Sequence, residues 1–148
     1  MSTIAAATQN VTGVVPLLMV TSMERSLVFY IDGLGFAIQA RWVPDGRLRW
    51  CLLSLGGAVL MLQEAVEPTR TKLLAAGALG NGAALYFQCA DAIAIYREAG
   101  AHGVHPLREP QVGNSGWEVF FADPDGYKIN FYSPTDVPEE TLLSEIKS

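Results

Sequence analysis

Apolar and polar positions alternate along this chain in two periods, and the order in which the periods follow one another occurs twice. Residues 14–20, VVPLLMV, form an unbroken apolar run of strand length. The period then lengthens: Met23, Leu27, Tyr30 and Ile31 recur at helical spacing, and Leu34 extends the same face. Thr21 or Ser22 is placed to cap the start of this helix, and Gly33 or Gly35 to end it. GFAIQARW then reads as a strand, VPDGR as a turn, and LRWCLLSL and AVLMLQE as two strands joined by Gly56-Gly57. The predicted order is β-α-β-β-β.

The second half repeats it more loosely. AALYFQC is a strand and ADAIAIYREAGA a helix, with Ile93, Ile95 and Tyr96 turned inward. HGVHPLREPQV is irregular, with a short strand expected around 104–107. WEVFFAD and YKINFYS are strands flanking the turn Asp123-Pro124-Asp125-Gly126. The expectation is a single domain of two tandem modules, about 12–65 and 82–133, with a linker over 66–81. Beyond them, Asp136 and Glu139 are spaced as a capping box, Pro138 suits a first turn, and Leu142, Leu143 and Ile146 make an apolar stripe. A C-terminal helix over about 137–147 is predicted.

Strand parity sorts the side chains into faces. With a two-residue turn at Gly56-Gly57, Leu55 pairs with Ala58, Ser54 with Val59, Leu52 with Met61 and Trp50 with Gln63. Trp50, Leu52, Ser54, Val59, Met61 and Gln63 then share a mixed face. Cys51, Leu53, Leu55, Ala58, Leu60 and Leu62 share an apolar one, which packs under the helix. Gln39 and Arg41 are assigned to the mixed face and Ile38 and Ala40 to the core. If Asp123–Gly126 is the whole second loop, Val119 pairs with Asn130 and Trp117 with Tyr132. Trp117, Val119, Phe121, Asn130 and Tyr132 would then line an aromatic cleft.

Composition narrows the function classes. The chain has 148 residues, half of them apolar and 17% charged, so a packed core is expected. A net charge of −5 argues against a nucleic-acid partner. No apolar run is long enough to span a membrane, and the first ten residues lack the pattern of a secretory signal. Cys51 and Cys89 sit inside strand-like runs and read as buried thiols, which points to the cytoplasm.

TSMERSLVFYIDGLGF and FFADPDGYKINFY, at the two ends of a duplicated pattern, resemble the vicinal oxygen chelate superfamily. Its members include glyoxalase I, extradiol dioxygenases and bleomycin resistance proteins. The resemblance implies an α+β fold in which two βαβββ modules form curved mixed sheets around a cleft, usually in a homodimer. Metal-dependent members place His, Glu or Gln at four strand positions. Here those positions fall on Val15, Met61, Ala83 or Ala84, and Asn130. Val and Ala have no donor atom, Met is a soft thioether, and Asn offers one neutral oxygen. No metal and no cofactor are therefore expected.

Other chemistry is sparse. His102 and His105 are the only histidines and lie in the irregular segment. Glu64 and Glu118 read as surface charges, and Arg41 and Arg49 as anion contacts or edge cover. No nucleophile elbow, phosphate loop or Cys-x-x-Cys motif is present. The reading favoured by these departures is a metal-free binding protein similar to the bleomycin resistance branch. It would hold a small aromatic or antibiotic-like molecule on Gln39, Arg41, Trp50, Leu52, Met61, Gln63, Trp117, Val119, Phe121, Asn130 and Tyr132, with no catalytic residue. The alternative is a glyoxalase- or dioxygenase-type enzyme with a displaced metal site at His105 or Glu118.

Overall fold

A computed structural model describes residues 8–146. Two four-stranded mixed sheets account for the predicted repeat. The first contains β1 (Leu17–Val20), β2 (Ala37–Trp42), β3 (Trp50–Leu55) and β4 (Ala58–Glu64), in the order β1-β4-β3-β2. The second contains β5 (Ala84–Gln88), β6 (Gln111–Gly113), β7 (Gly116–Ala122) and β8 (Lys128–Pro134), in the equivalent order β5-β8-β7-β6. In each, the first strand pairs in parallel with the last, and the other pairings are antiparallel.

The helix after β1 begins as predicted. Ser22 caps α1 (Met23–Leu27) by accepting from the Arg25 N–H at 3.2 Å. The chain then widens into a π-helical stretch, Val28–Gly33, closed by the Leu34 N–H on the Phe29 carbonyl at 3.0 Å. Met23 and Ser26 of α1 are buried, as are Phe29 and Tyr30 of the wide turn, while Leu27 and Ile31 are half-buried. Helix α2 (Thr69–Ala75) occupies the linker. Helix α3 (Ala92–Ala101) is capped by Asp91, which accepts from the Ala94 N–H at 3.0 Å. It packs on β7 and β8.

The core lies on the helix-facing side of both sheets. Cys51, Leu53, Leu60 and Leu62 from the first join Val119, Phe121, Ile129 and Phe131 from the second. Phe36 bridges the halves by meeting Phe87 edge-on at 5.8 Å. Polar bonds tie them further. The Tyr30 hydroxyl donates to Asp123 at 2.8 Å, the Tyr127 hydroxyl to the Met19 carbonyl at 2.8 Å, and the Thr21 hydroxyl to Asp125 at 2.5 Å.

Three expectations change. The strand expected around 104–107 is absent, and the edge strand is β6, which pairs with β7 through a two-residue turn at Asn114-Ser115. Both turn residues have positive φ, 51° and 62°, the twist that suits a tight hairpin. The C-terminal helix does not form over the described residues 137–146. That segment bridges Leu142 to Gln111 and makes one 3-10 turn, Leu143–Glu145. Glu139 does not reach back to a capping residue; it accepts from the Ser115 N–H instead. Finally, Glu64 is not a surface charge: it is 5% exposed.

Candidate functional site

In the first sheet the β3–β4 register is the one derived from Gly56-Gly57, from Leu55 opposite Ala58 to Trp50 opposite Gln63. Its face away from the core therefore carries Trp50, Leu52, Ser54, Val59, Met61 and Gln63. A β-bulge at Gln39 alters β2: Ile38 pairs with Leu53, but Ala40 pairs with Leu52 and Arg41 with Cys51. Gln39 stays on the open face and donates to the Ser54 hydroxyl at 2.7 Å. Arg41 and Ala40 exchange their expected sides, so Arg41 does not join Trp50 and Met61.

In the second sheet the register differs by one residue from the expectation. The Asp123 N–H bonds the Tyr127 carbonyl at 2.9 Å, so the loop is Pro124-Asp125-Gly126, with Gly126 at φ 92°. Ala122 consequently pairs with Lys128, Phe120 with Asn130, Val119 with Phe131 and Trp117 with Ser133. Trp117, Val119 and Phe121 thus face the core rather than the open side, and a one-residue slip moves every side chain of a strand across the sheet. Asn130 and Tyr132 remain on the open face. Their neighbours there are Tyr86 and Gln88 from β5 and Glu118 and Phe120 from β7.

The arrangement around Asn130 is specific. Tyr86 and Phe120 are its two cross-strand partners, and their rings meet edge-on at 6.4 Å. Asn130 is 6% exposed, and its side-chain oxygen is buried with no hydrogen-bond partner. Tyr86, by contrast, is 53% exposed. Tyr86, Gln88, Asn114, Glu118 and Tyr132 line a cavity of about 390 Å³ beside it. The Tyr132 hydroxyl is fixed by donating to the Asn114 carbonyl at 2.8 Å. Two glycines make room for this wall: a Cβ at Gly113 would overlap the Glu118 carboxylate, and one at Gly116 the Tyr132 ring. Arg108 places its guanidinium 4.6 Å from the Phe120 ring centre and bonds Gln111.

Sequence reasoning did not place Tyr86, Gln88 and Phe120 on this face, and named Glu118 only as a surface charge or as part of a displaced metal site. Gly113-Asn114-Ser115-Gly116 is a hairpin signal that would have placed β6, and a three-residue reading of the Asp-Pro-Asp-Gly turn would have turned Glu118 and Phe120 toward Asn130.

The buried carboxylates lie elsewhere. Glu64 accepts from the Met23 N–H at 2.8 Å, from Arg47 at 2.9 Å and from Arg49 at 2.6 Å. Burial pushes its carboxyl upward, but these bonds and the two guanidinium charges outweigh it and hold the group below the ordinary range. Asp123 is raised, because burial outweighs its bonds from Tyr30, Tyr127 and Asp125. Burial likewise raises the Cys51 and Cys89 thiols, which keeps both out of the thiolate form. His102 and His105 are exposed, as expected of an irregular segment.

The strand positions that hold metal in relatives do not fit a divalent ion here. Val15 lies ahead of β1, where Leu17 is the residue beside Met61, and Ala84 is two pairs removed from Asn130, beside which Tyr86 stands. Among the described residues no group of three His, Cys, Asp or Glu side chains is placed to hold a metal ion.

The chain matches the Glyoxalase/Bleomycin resistance protein/Dioxygenase superfamily over residues 10–131 and belongs to it. Solved structures share its fold. TioX from Micromonospora sp. ML1 is 18% identical with a TM-score of 0.63, covering 86% of this chain and 99% of that one. TnmS3, an antibiotic binding protein from Streptomyces sp. CB03234, is 24% identical at a TM-score of 0.61, covering 84% and 98%. A bleomycin-binding protein complexed with bleomycin is 19% identical at 0.61, covering 83% and 98%. No curated protein sequence matches significantly. Among the described residues no helix is long and apolar enough to cross a membrane.

Proposed function

We infer that this chain binds a small planar molecule on the open face of its second sheet and releases it unchanged, without a metal ion. The observation that carries the reading is the buried, unpartnered oxygen of Asn130 between Tyr86 and Phe120. An orphaned acceptor in a folded protein is costly, and a ligand that donates to it relieves that cost. The adjoining rings supply flat apolar contact, worth about 1 kcal/mol per ring beyond area burial. The fold's likeness to an antibiotic binding protein and to a bleomycin-binding protein supports a ligand of this kind.

The donor set supports the metal-free part. Leu17 and Met61 in the first sheet, and Tyr86 and Asn130 in the second, offer no pair of hard anionic or imidazole ligands. A homodimer in the cytoplasm fits the family habit. It also fits the open face of the first sheet, where Trp42 is 55% exposed beside Trp50. Solution mass measurement tests the dimer.

Binding is tested by thermal shift and fluorescence titration with a panel of planar aromatic compounds, in chelator and then with Ni(II), Zn(II), Fe(II) or Mn(II). Saturable binding in chelator, lost in Tyr86→Ala, is expected. Stoichiometric metal uptake that raises the melting temperature and switches on turnover would overturn it in favour of an enzyme.

A further inference from the structure

We propose that the second sheet's open face selects planar ligands that carry a positive charge at one end, with Glu118 as the group that recognises it. This rests on the binding reading above and deepens it to a ligand class.

The argument begins with what Glu118 lacks. It stands on β7 beside Tyr132 and across from Gln111, and its nearest polar contact is the Tyr86 hydroxyl at 3.5 Å. Both ion pairs of the described residues involve Glu64, so Glu118 has no cationic partner there. Its carboxylate lies over Gly113, in space that any other residue at that position would fill. A carboxylate held among Tyr86, Phe120 and Tyr132 combines the two features that bind an organic cation: an opposite charge and electron-rich ring faces. The Phe120 ring already accepts one cation, the Arg108 guanidinium, so its face is accessible to such a charge.

Charge along the face fixes an orientation. Following β8, Lys128, Asn130 and Tyr132 succeed one another on the open side, and Glu118 pairs with Tyr132. Lys128 is therefore about 13 Å from the Glu118 end. A ligand with its cation at Glu118 and its ring against Tyr86 directs an edge toward Asn130. The orphaned oxygen is buried and Asn130 does not line the cavity, so an N–H on that edge reaches it once the exposed Tyr86 ring moves aside. The ligand class is a planar aromatic amine or amidine, protonated at neutral pH. Arg108 is the competing resident cation, so Arg108→Ala should tighten cation binding.

The test compares proflavine, a planar tricyclic cation, with acridone, its neutral tricyclic counterpart, by fluorescence titration of the full chain. Wild type is expected to bind proflavine about tenfold more tightly than acridone. Glu118→Gln should abolish that preference through weaker proflavine binding, at an unchanged melting temperature. Glu98→Gln, an exposed carboxylate outside the face, should preserve it, which separates local recognition from attraction to an acidic protein. Tyr86→Ala should weaken both compounds. A preference that survives Glu118→Gln, or equal binding of both compounds to wild type, overturns the proposal while leaving the binding reading intact. Failure of both compounds to saturate wild type counts against both.

Discussion

The open faces of the two sheets occupy equivalent places in a repeated scaffold, yet they present different chemistry. In the first, Gln39 donates to Ser54, and Ser54 stands opposite Val59, one step along from Leu52 and Met61 on the same face. In the second, Asn130 and Glu118 are left with little or nothing to bond. Strand order and pairing directions are shared, so the difference comes from the side chains and from the edge strands, six residues with a bulge at Gln39 in β2 against three residues in β6. Duplication supplies two frames, and the frame with unsatisfied acceptors is the one proposed above to take a guest.

The strongest way to break the comparison is to damage one core and ask whether the other survives. Phe131→Ala empties the closed face of the second sheet, where Phe131 stacks on Phe87 at 5.2 Å. A loss of about 4 kcal/mol is expected. Because Phe87 also meets Phe36 of the first half, urea unfolding should remain one transition by fluorescence and circular dichroism. Two separated transitions would make the halves independent.

A smaller effect separates the two buried carboxylates. Glu64 is depressed in the folded chain, so its contribution is present above the ordinary glutamate value, about 4.3, and is lost as pH falls toward the folded value. Asp123 is raised, so its effect has the opposite sign: fully favourable below about 3.9 and lost as pH rises through the folded value. Glu64→Gln should cost about 2 kcal/mol at pH 7 and progressively less as pH falls below about 4.3. The variant should then lose stability from pH 4 upward, with Asp123 in control. Denaturant melts across pH read both slopes.

Asn130→Leu gives the smallest effect and sharpens the contrast most. Removing an unpartnered buried amide should stabilise the fold by about 1 kcal/mol and abolish ligand binding. A matching gain from Gln39→Leu is not expected, because that amide is already bonded. Chemical denaturation of the two variants side by side decides.

The repeat, the strand types and the register across Gly56-Gly57 were all readable from the chain, because a two-residue turn leaves one choice of pairing. Asp-Pro-Asp-Gly leaves two. Whether Asp123 belongs to the loop or to the ladder depends on its carboxylate accepting from the Asp125 and Tyr127 N–H groups, which composition does not reveal. That single choice moved Trp117, Val119 and Phe121 into the core and brought Glu118 and Phe120 out. The bulge at Gln39 did the same to Arg41. Asn130 and Tyr132 kept their place on the open side although their partners changed. The tail misled for another reason: its apolar stripe suits a helix, but Leu142 is claimed by the edge strand at Gln111.

The bonds from Tyr30 to Asp123, Thr21 to Asp125 and Tyr127 to Met19 join the opening of one half to the closing turn of the other. Recognition between the halves is therefore written into their surfaces rather than into the peptide that joins them. Two co-expressed fragments, divided near Gly77 where the backbone turns at φ 81°, should reassemble without a covalent tether. The same property would let half of one copy accept half of another, making exchange of modules between chains a built-in capacity of this architecture.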